Sequence, residues 1–173
     1  FTKIAKYFNV PIIETAVGFP HLCKAMISQN ALLAGEESGG YAFKFHVPER
    51  DGILSSLLIL ELLATSKKSL QQLKDEMYDK FGRTFFGRSD LTYTAEQSSF
   101  ILNKLKNITI ENIDNKTIIS TSDTDGVKFY LKDKSWGTIR ISGTEPLIRI
   151  YAESNSQYEV TNIINELKDY IFC

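Results

Sequence analysis

Two arginines and a hydroxyl-rich turn are the residues of this 173-residue chain best suited to bind an anion. They lie in the stretch Arg140-Ile-Ser-Gly-Thr-Glu-Pro-Leu-Ile-Arg149. Isoleucines alternate with polar residues on both sides of the turn, which is typical of two strands that share one buried face. If residues 143–146 connect the strands, Ile141 lies opposite Ile148 and Arg140 lies opposite Arg149.

This pairing places both arginines on the outer face, where like charges directly opposite each other should repel. An anion between them would reverse the sign of that interaction. Ser142 and Thr144 add hydroxyls, and Gly143 lets a ligand approach backbone N–H groups closely. Because guanidinium groups match phosphate oxygens, we interpret these five residues, Arg140, Ser142, Gly143, Thr144 and Arg149, as a phosphate clamp. The alternative is an ordinary hairpin with two solvated arginines.

A second polar segment, Gly35-Glu-Glu-Ser-Gly-Gly40, comes after a short apolar run that we expect to be a parallel strand. Ligands of α/β sheets bind at the carboxyl ends of such strands. A carboxylate such as that of Glu36 accepts hydrogen bonds from vicinal sugar hydroxyls, and Ser38 can add a contact. On the residues alone, however, a glycine turn with two solvated acids is the better interpretation.

Three further polar residues are candidates for a binding or catalytic role, and two of them are explained more simply by local structure. His46 lies in a proline-containing loop after Gly40 and is a candidate site residue. Asp51 is better explained as the N-cap of a helix than as an acid or base. Asp125, beside Gly126, is better explained as a turn former than as a metal ligand.

Together these motifs resemble the α-D-phosphohexomutases, the phosphoglucomutase/phosphomannomutase superfamily. The stretch from Arg140 to Arg149 is similar to the family's phosphate-binding loop, and Gly35–Gly40 is similar to its sugar-recognition loop. His46-Val-Pro-Glu-Arg-Asp-Gly-Ile53 is similar to the segment that comes after that loop in phosphoglucomutase-like members. The family has four domains, and the chain resembles only the end of the third domain and the fourth.

The resemblance implies roles for these residues. Glu36 and Ser38 would contact sugar hydroxyls, with His46 as a third substrate-binding candidate, and the phosphate clamp would hold the non-reacting phosphate. The full-length enzyme would be an isomerase of carbohydrate metabolism, an intramolecular phosphotransferase. It would interconvert hexose 1-phosphate and hexose 6-phosphate through a bisphosphorylated intermediate that reorients in the site.

The resemblance also implies that essential parts lie elsewhere. The family's reaction needs a phosphorylated serine and Mg²⁺ held by clustered aspartates, and both belong to the first two domains. The sequence has no Asp-x-Asp-x-Asp run and no matching serine motif. We therefore expect no catalytic or metal-binding residue in this chain, and no mutase activity from it alone. Pro20 stands where the family commonly has a lysine near the substrate, so one cation is lost or the site is degraded.

The composition limits the classes of partner that we expect this chain to bind. A net charge of −1 argues against a basic nucleic-acid surface, and no apolar run is long enough to span a bilayer. No signal peptide is visible at Phe1, and Cys23 and Cys173 fit a reducing cytosol. We expect a cytoplasmic protein whose partners are a hexose phosphate and the missing N-terminal domains, with no nucleic acid and no membrane.

Periodicity predicts two domains, 1–88 and 94–173, with the crossing between them in residues 83–94. In the first, helices alternate with short strands, which argues for an α/β layer. In the second, a helix, several strands and a final helix form an α+β unit. The resemblance implies a partial three-layer α/β domain, the end of the third phosphohexomutase domain. It implies an antiparallel sheet of the TATA-box-binding-protein-like fold for the second.

The predicted elements are these. Helices are expected at 2–9, 21–30, 52–65, from 69 to 81, from 95 over about three turns, and at 157–171. Strands are expected at 10–13, 31–34, 41–45, 108–113, 117–120, 127–131, 136–142 and 151–153.

Other functions remain open at this point. The chain could be a non-catalytic sugar-phosphate-binding module, or a structural remnant to which Pro20 gives some support. If it belongs to an enzyme, phosphomannomutase and phosphoglucosamine mutase specificities stand beside phosphoglucomutase.

Overall fold

The computed structural model describes residues 1–143 and 145–172. The chain forms two compact units, Phe1–Gly82 and Arg83–Cys173. The division falls earlier than the expected crossing in residues 83–94. The reason is that Phe85–Thr92 is a strand of the second unit, paired with another strand along its whole length.

The described residues of the first unit form four helices and one antiparallel hairpin. The helices are α1 (Thr2–Tyr7), α2 (Phe19–Gln29), α3 (Gly52–Ser66) and α4 (Leu70–Phe81), and the strands are β1 (Leu33–Gly35) and β2 (Tyr41–Phe43). The strand predicted at 10–13 is wrong, because these residues adopt no regular structure. The strand before the polar loop, β1, pairs antiparallel with β2, because the loop reverses the direction of the chain between them.

Side-chain caps fix the starts of two helices of the first unit, α3 and α4. Asp51 caps α3 as predicted, its Oδ1 accepting from the Leu54 N–H at 2.9 Å. Ser69 and Gln72 form the predicted capping box of α4. A small buried cluster joins α2 to the hairpin, and its members are Phe19, Met26, Ala34 and Ala42. Helix α3, in contrast, is apolar but buries none of its residues within the first unit.

The second unit is built on a six-stranded antiparallel sheet. Its elements are β3 (Phe85–Thr92), α5 (Ala95–Lys106), β4 (Asn112–Ile113), β5 (Lys116–Ser122), β6 (Val127–Leu131), β7 (Trp136–Ile141), β8 (Leu147–Ser154) and α6 (Gln157–Phe172). The strand order is β3-β8-β7-β6-β5-β4. Both predicted helices and most predicted strands are confirmed. The strand predicted at 108–113 is only two residues long.

Helix α6 packs against the central strands and forms the core of the second unit. Ile139, Ile148 and Ile150 of the sheet are fully buried with Ile163 and Leu167 of α6. At the edge strand, a Cβ at Gly87 would lie 2.6 Å from Val160 Cγ1, so only glycine lets α6 approach β3 this closely. The helix therefore covers one face of the sheet, and the polar residues of β7 and β8 lie on the other.

A lysine and three carboxylates hold one end of this sheet together. Lys116 Nζ lies 3.3 Å from Asp114 Oδ2, 3.1 Å from Asp133 Oδ2 and 3.2 Å from Glu159 Oε1. Burial alone would lower the pKa of Lys116, but hydrogen bonds to these carboxylates outweigh it and raise the pKa. The hydrogen bond from Ser154 and then the one from Lys116 lower the pKa of Glu159. This cluster ties two turns to the start of α6.

The pKa of Asp133 changes in the same direction as that of Glu159. Burial alone would raise it, but hydrogen bonds from Ser135 and Lys116 lower it. A carboxyl whose pKa is lowered on folding adds stability above its unfolded pKa and loses it as the pH falls. The raised pKa of Lys116 adds stability that is present throughout the acidic and neutral range.

Replacing Lys116 with Met should destabilise the second unit. It leaves three partly buried carboxylates without their shared cation, so we expect the free energy of unfolding to fall by about 1–3 kcal/mol. The only tryptophan, Trp136, lies in β7, so its fluorescence during urea unfolding reports on this unit.

Lys168→Met, which removes an exposed lysine of α6, is the matched control and should change little. The stability difference between wild type and Lys116→Met should shrink as the pH falls below about 4.5, where the carboxyls begin to be protonated. A difference that stays constant from about pH 7 to about pH 3 would contradict this assignment.

Candidate functional site

The register of the hairpin formed by β7 and β8 is the predicted one. Arg140 pairs with Arg149 and Ile141 pairs with Ile148. The Ser142 N–H donates to the Leu147 carbonyl at 2.8 Å, which closes the ladder at the turn. Of the flanking isoleucines, Ile139, Ile148 and Ile150 are buried and Ile141 is half-buried, so both arginines lie on the sheet face opposite the core.

These arginines are not the solvated residues of an ordinary hairpin. The side chain of Arg140 is 15% exposed and that of Arg149 is 22% exposed. Arg140 Nε lies 3.0 Å from Asp125 Oδ2, and an Arg149 terminal nitrogen donates to Glu145 Oε2 at 3.2 Å. Arg149 Nε also lies 3.8 Å from Asp90 Oδ2. Our expectation of uncompensated repulsion was therefore wrong, because the chain supplies its own carboxylates.

Three N–H-bearing nitrogens of this pair remain unsatisfied. Nε and one terminal nitrogen of Arg140, and Nε of Arg149, are buried without a hydrogen-bond partner in the part of the chain that the structure describes. The contact of Arg140 with Asp125 is at ion-pair distance but does not align as a hydrogen bond. Because a buried donor without an acceptor is costly, these groups favour an oxygen-rich ligand.

The turn after β7 is open at Gly143. A Cβ built there would meet no atom within 4 Å, so packing within the chain does not require glycine at this position. The space leaves the backbone accessible to a ligand. Ser142 is buried, with 7% of its surface exposed. Thr144, the remaining residue of the predicted clamp, lies outside the described residues.

Strand β3 adds two residues to the site that the sequence did not predict. Asp90 lies directly opposite Arg149 in the ladder. Arg88 donates to both oxygens of Asp90, each at 2.6 Å. Hydrogen bonds from Arg88, together with the charges of Arg88 and Arg149, lower the pKa of Asp90. Phe86, Arg88 and Asp90 follow one another at every second position, a spacing that indicates a strand with these side chains on one face. We interpreted this stretch instead as the crossing between domains.

The turn between β5 and β6 positions the carboxylate beside Arg140. Gly126 has a φ of +80°, and a Cβ there would lie 2.2 Å from the Ile139 carbonyl oxygen. Only glycine permits this contact between the turn and β7. Asp125 is thus both the predicted turn residue and an ion-pair partner.

In the first unit, the sugar-loop candidates Glu36 and Ser38 lie in contact. The Glu36 N–H donates to the Gly40 carbonyl at 2.9 Å, and the Gly39 N–H donates to the Glu36 carbonyl at 3.1 Å. Glu36 Oε2 accepts from Ser38 Oγ at 3.3 Å and from Arg50 at 3.3 Å. The Glu36 side chain is only 14% exposed, so Arg50 and the loop hold the carboxylate in place.

His46, the third candidate of the first unit, is held by a helix cap. Its Nε2 lies 2.9 Å from Asp51 Oδ2, while the other Asp51 oxygen caps α3. The hydrogen bond from Leu54, and then the one involving His46, keep the pKa of Asp51 below its ordinary value. Asp51 adjoins Arg50, so the Glu36 and His46 contacts are made by neighbouring residues.

Pro20 occupies the second position of α2, after Gly18 at the N-cap. Proline is well accommodated there, because the first N–H groups of a helix have no intrahelical acceptor. The helix start therefore explains proline structurally, without replacing the charge of the lysine that the resemblance leads us to expect at this position.

Two features of the structure bear on cofactors and membranes. In residues 1–143 and 145–172, no group of three or more His, Cys, Asp and Glu side chains could hold a metal ion. None of the helices that the structure describes is long and apolar enough to cross a membrane.

Comparison with known proteins gives the family. Residues 1–81 match the family model "Phosphoglucomutase/phosphomannomutase, alpha/beta/alpha domain III", and residues 102–169 match that of the C-terminal domain. A phosphoglucosamine/phosphogalactosamine mutase of Sulfurisphaera tokodaii is 32% identical over 97% of this chain and 35% of its own length. A phosphoglucomutase/phosphomannomutase of Thermococcus kodakarensis is 30% identical over 89% of this chain and 31% of its own length.

Solved structures agree with this grouping. The crystal structure of a Thermus thermophilus protein described as a phosphomannomutase has a TM-score of 0.76 and 26% identity. The match covers 99% of this chain and 34% of that one.

The chain therefore belongs to the phosphoglucomutase/phosphomannomutase family. It contains part of the α/β third domain, followed by the TATA-box-binding-protein-like C-terminal domain, as the motifs indicated. It spans about a third of the length of the curated relatives it matches.

Two glycine substitutions test which glycine of the site the fold requires. Gly126→Ala creates a clash with the β7 backbone at a positive φ, so we expect a loss of about 1–3 kcal/mol in unfolding free energy. Gly143→Ala meets open space and should change stability by less than about 0.5 kcal/mol. Urea unfolding followed by Trp136 fluorescence measures both, and equal destabilisation would show that Gly143 is needed for the fold.

Proposed function

We propose that this chain supplies the phosphate and sugar-hydroxyl recognition of a phosphohexomutase. The full-length protein would interconvert hexose 1-phosphate and hexose 6-phosphate through a bisphosphorylated intermediate. The observation that carries the proposal is the pair of largely buried arginines on neighbouring strands, with three N–H-bearing nitrogens that have no acceptor among the described residues.

The phosphate clamp would bind the phosphate that is not reacting. A tetrahedral phosphate offers several oxygens, so it can accept from Arg140 and Arg149 at once, which a single carboxylate does less well. The backbone at Gly143 and the hydroxyls of Ser142 and Thr144 would complete the contacts. Such charge-assisted hydrogen bonds are short and strong, which suits positioning rather than covalent chemistry.

The sugar-recognition loop would read the hydroxyls of the hexose. Glu36 is fixed by Arg50 and Ser38, so its carboxylate is ordered before a ligand arrives. An ordered acceptor binds a diol with less loss of side-chain entropy than a free one. His46, fixed by Asp51, is the third proposed contact.

The mutase reaction explains why both kinds of recognition belong to one protein. Phosphate passes between C1 and C6, so the intermediate must bind in two orientations. A clamp that contacts only phosphate oxygens can serve both orientations. The same holds for acceptors that contact only vicinal hydroxyls. Electrostatic positioning of this kind carries most of the rate enhancement in phosphoryl transfer.

The described residues do not fit Mg²⁺, which prefers several oxygen ligands in octahedral geometry. We propose that the Mg²⁺ ligands and the phosphoserine lie in parts of the full-length protein outside this chain. The free Cys23 is the observation that favours a cytoplasmic location.

The second candidate function is a sugar-phosphate-binding module without catalysis, which would use the same recognition residues. Both functions need the clamp. A coupled assay of the full-length protein for Mg²⁺-dependent conversion of glucose, mannose and glucosamine phosphates distinguishes them and identifies the substrate.

Arg149→Ala should weaken phosphate binding without disturbing the fold. It removes one of two charge-assisted contacts, typically about 1.5–3 kcal/mol, so we expect affinity for glucose 6-phosphate to fall roughly tenfold or more. Calorimetric titration of the 173-residue chain measures the effect. No core residue changes, so unfolding of the second unit should stay cooperative.

Lys168→Ala, which removes an exposed cation from α6, is the matched control for net charge. It should bind like the wild type. Equal affinities for wild type and Arg149→Ala would mean that the arginine pair is not a phosphate site.

A further inference from the structure

The clamp contains carboxylates of its own chain, and one of them, that of Glu145, contacts Arg149 directly. We propose that Glu145 is a resident competitor: its carboxylate occupies Arg149 in the free protein, leaves when phosphate binds, and returns to speed phosphate release. The inference rests on the proposed function, because it concerns how the same site is regulated.

Charge balance is the first argument. Among the described residues, the ion pairs at this site join three guanidinium groups, of Arg88, Arg140 and Arg149, to three carboxylates, of Asp90, Asp125 and Glu145. The charges of these six groups balance. A phosphate that adds two negative charges to a neutral cluster gains little net attraction unless one carboxylate moves away.

Two of the three carboxylates are more constrained than the third. Asp90 accepts two 2.6 Å hydrogen bonds from Arg88 and lies 3.8 Å from Arg149 Nε. Asp125 precedes Gly126, whose close contact with β7 fixes the backbone of the turn. The side chains of Asp90 and Asp125 are 35% and 29% exposed, less than that of Glu145.

Glu145 differs from both in its surroundings. Its side chain is 56% exposed and lies in the connection between β7 and β8, four residues before its partner. The contact is a hydrogen bond of 3.2 Å to a terminal nitrogen of Arg149. Exposed pairs of this kind are weak, so water can replace the contact when a stronger ligand arrives.

The consequence concerns turnover as well as affinity. A phosphate must displace Glu145, so only an anion that contacts both arginines gains enough to bind. On release, the returning carboxylate satisfies Arg149 and lowers the cost of emptying the clamp. A site from which a bisphosphorylated intermediate must detach and reorient benefits from this exchange.

Removing the competitor should tighten binding. For Glu145→Gln, we expect the affinity of the 173-residue chain for inorganic phosphate and for glucose 6-phosphate to rise about two- to fivefold. Glu145→Ala should act in the same direction, since it removes the carboxylate completely. The increase should appear mainly as slower dissociation.

Glu111→Gln is the matched control, because it removes one negative charge from an exposed position before β4, at the far edge of the sheet. It should bind phosphate like the wild type, which separates a local effect from one of net charge. Calorimetry gives the affinities, and stopped-flow displacement gives the dissociation rates.

The outcomes separate this inference from the proposed function. Tighter binding by both Glu145 variants but not by Glu111→Gln supports it. If the wild type binds and the Glu145 variants bind equally or more weakly, the competitor role is wrong while the clamp stands. If neither the wild type nor any variant binds phosphate, the clamp itself is wrong, and this inference with it.

Discussion

Two positive charges held side by side on one face of a hairpin are the constraint on which the second unit's site depends. The isoleucines that alternate with Arg140 and Arg149 are buried in the core with α6, except Ile141, which is partly buried there, so the arginines have no alternative face. Burial of apolar area fixes this register, because a slip of one residue would expose the isoleucines and bury the charges. The resulting repulsion between the two guanidinium groups destabilises the site.

The neighbouring elements offset that cost. Strand β3 brings Asp90 opposite Arg149, and Gly126 lets a turn bring Asp125 to Arg140. Among the described residues, these carboxylates do not satisfy all the guanidinium N–H groups. The arrangement combines balanced charge with unfilled hydrogen-bonding capacity, and this combination is what we expect of a site that binds and releases phosphate.

The sequence predicted this hairpin well, because its signals are local. The period of two, the turn residues and the pairing of like charges all lie within ten consecutive residues, and the same holds for the cap at Asp51. Strand β3 was missed because Gly87, Ser89 and Asp90 resemble a linker, while its strand character comes from pairing with β8, about sixty residues later. The carboxylates beside the arginines were missed for the same reason: tertiary contacts place them there.

The first unit shows the limits of local signals more strongly. Its helices and caps were predictable, but the parallel strand before the sugar-recognition loop was not found, since β1 pairs with β2 across a tight return. Helix α3 is apolar around its circumference and buries none of its residues fully within the described part of the unit, so periodicity alone could not place it. Glu36 and Ser38 lie in contact, and Arg50, which also holds Glu36, became visible only through its contact.

The central claim is that Arg140 and Arg149 bind one phosphate together. Titration of the chain, labelled with ¹⁵N-arginine, with inorganic phosphate tests it by observing the side-chain Nε–H resonances. We expect the signals of Arg140 and Arg149 to move together and give the same dissociation constant, while those of Arg50 and Arg83 stay in place. Movement of only one of the pair, or no movement of either at saturating phosphate, would contradict it.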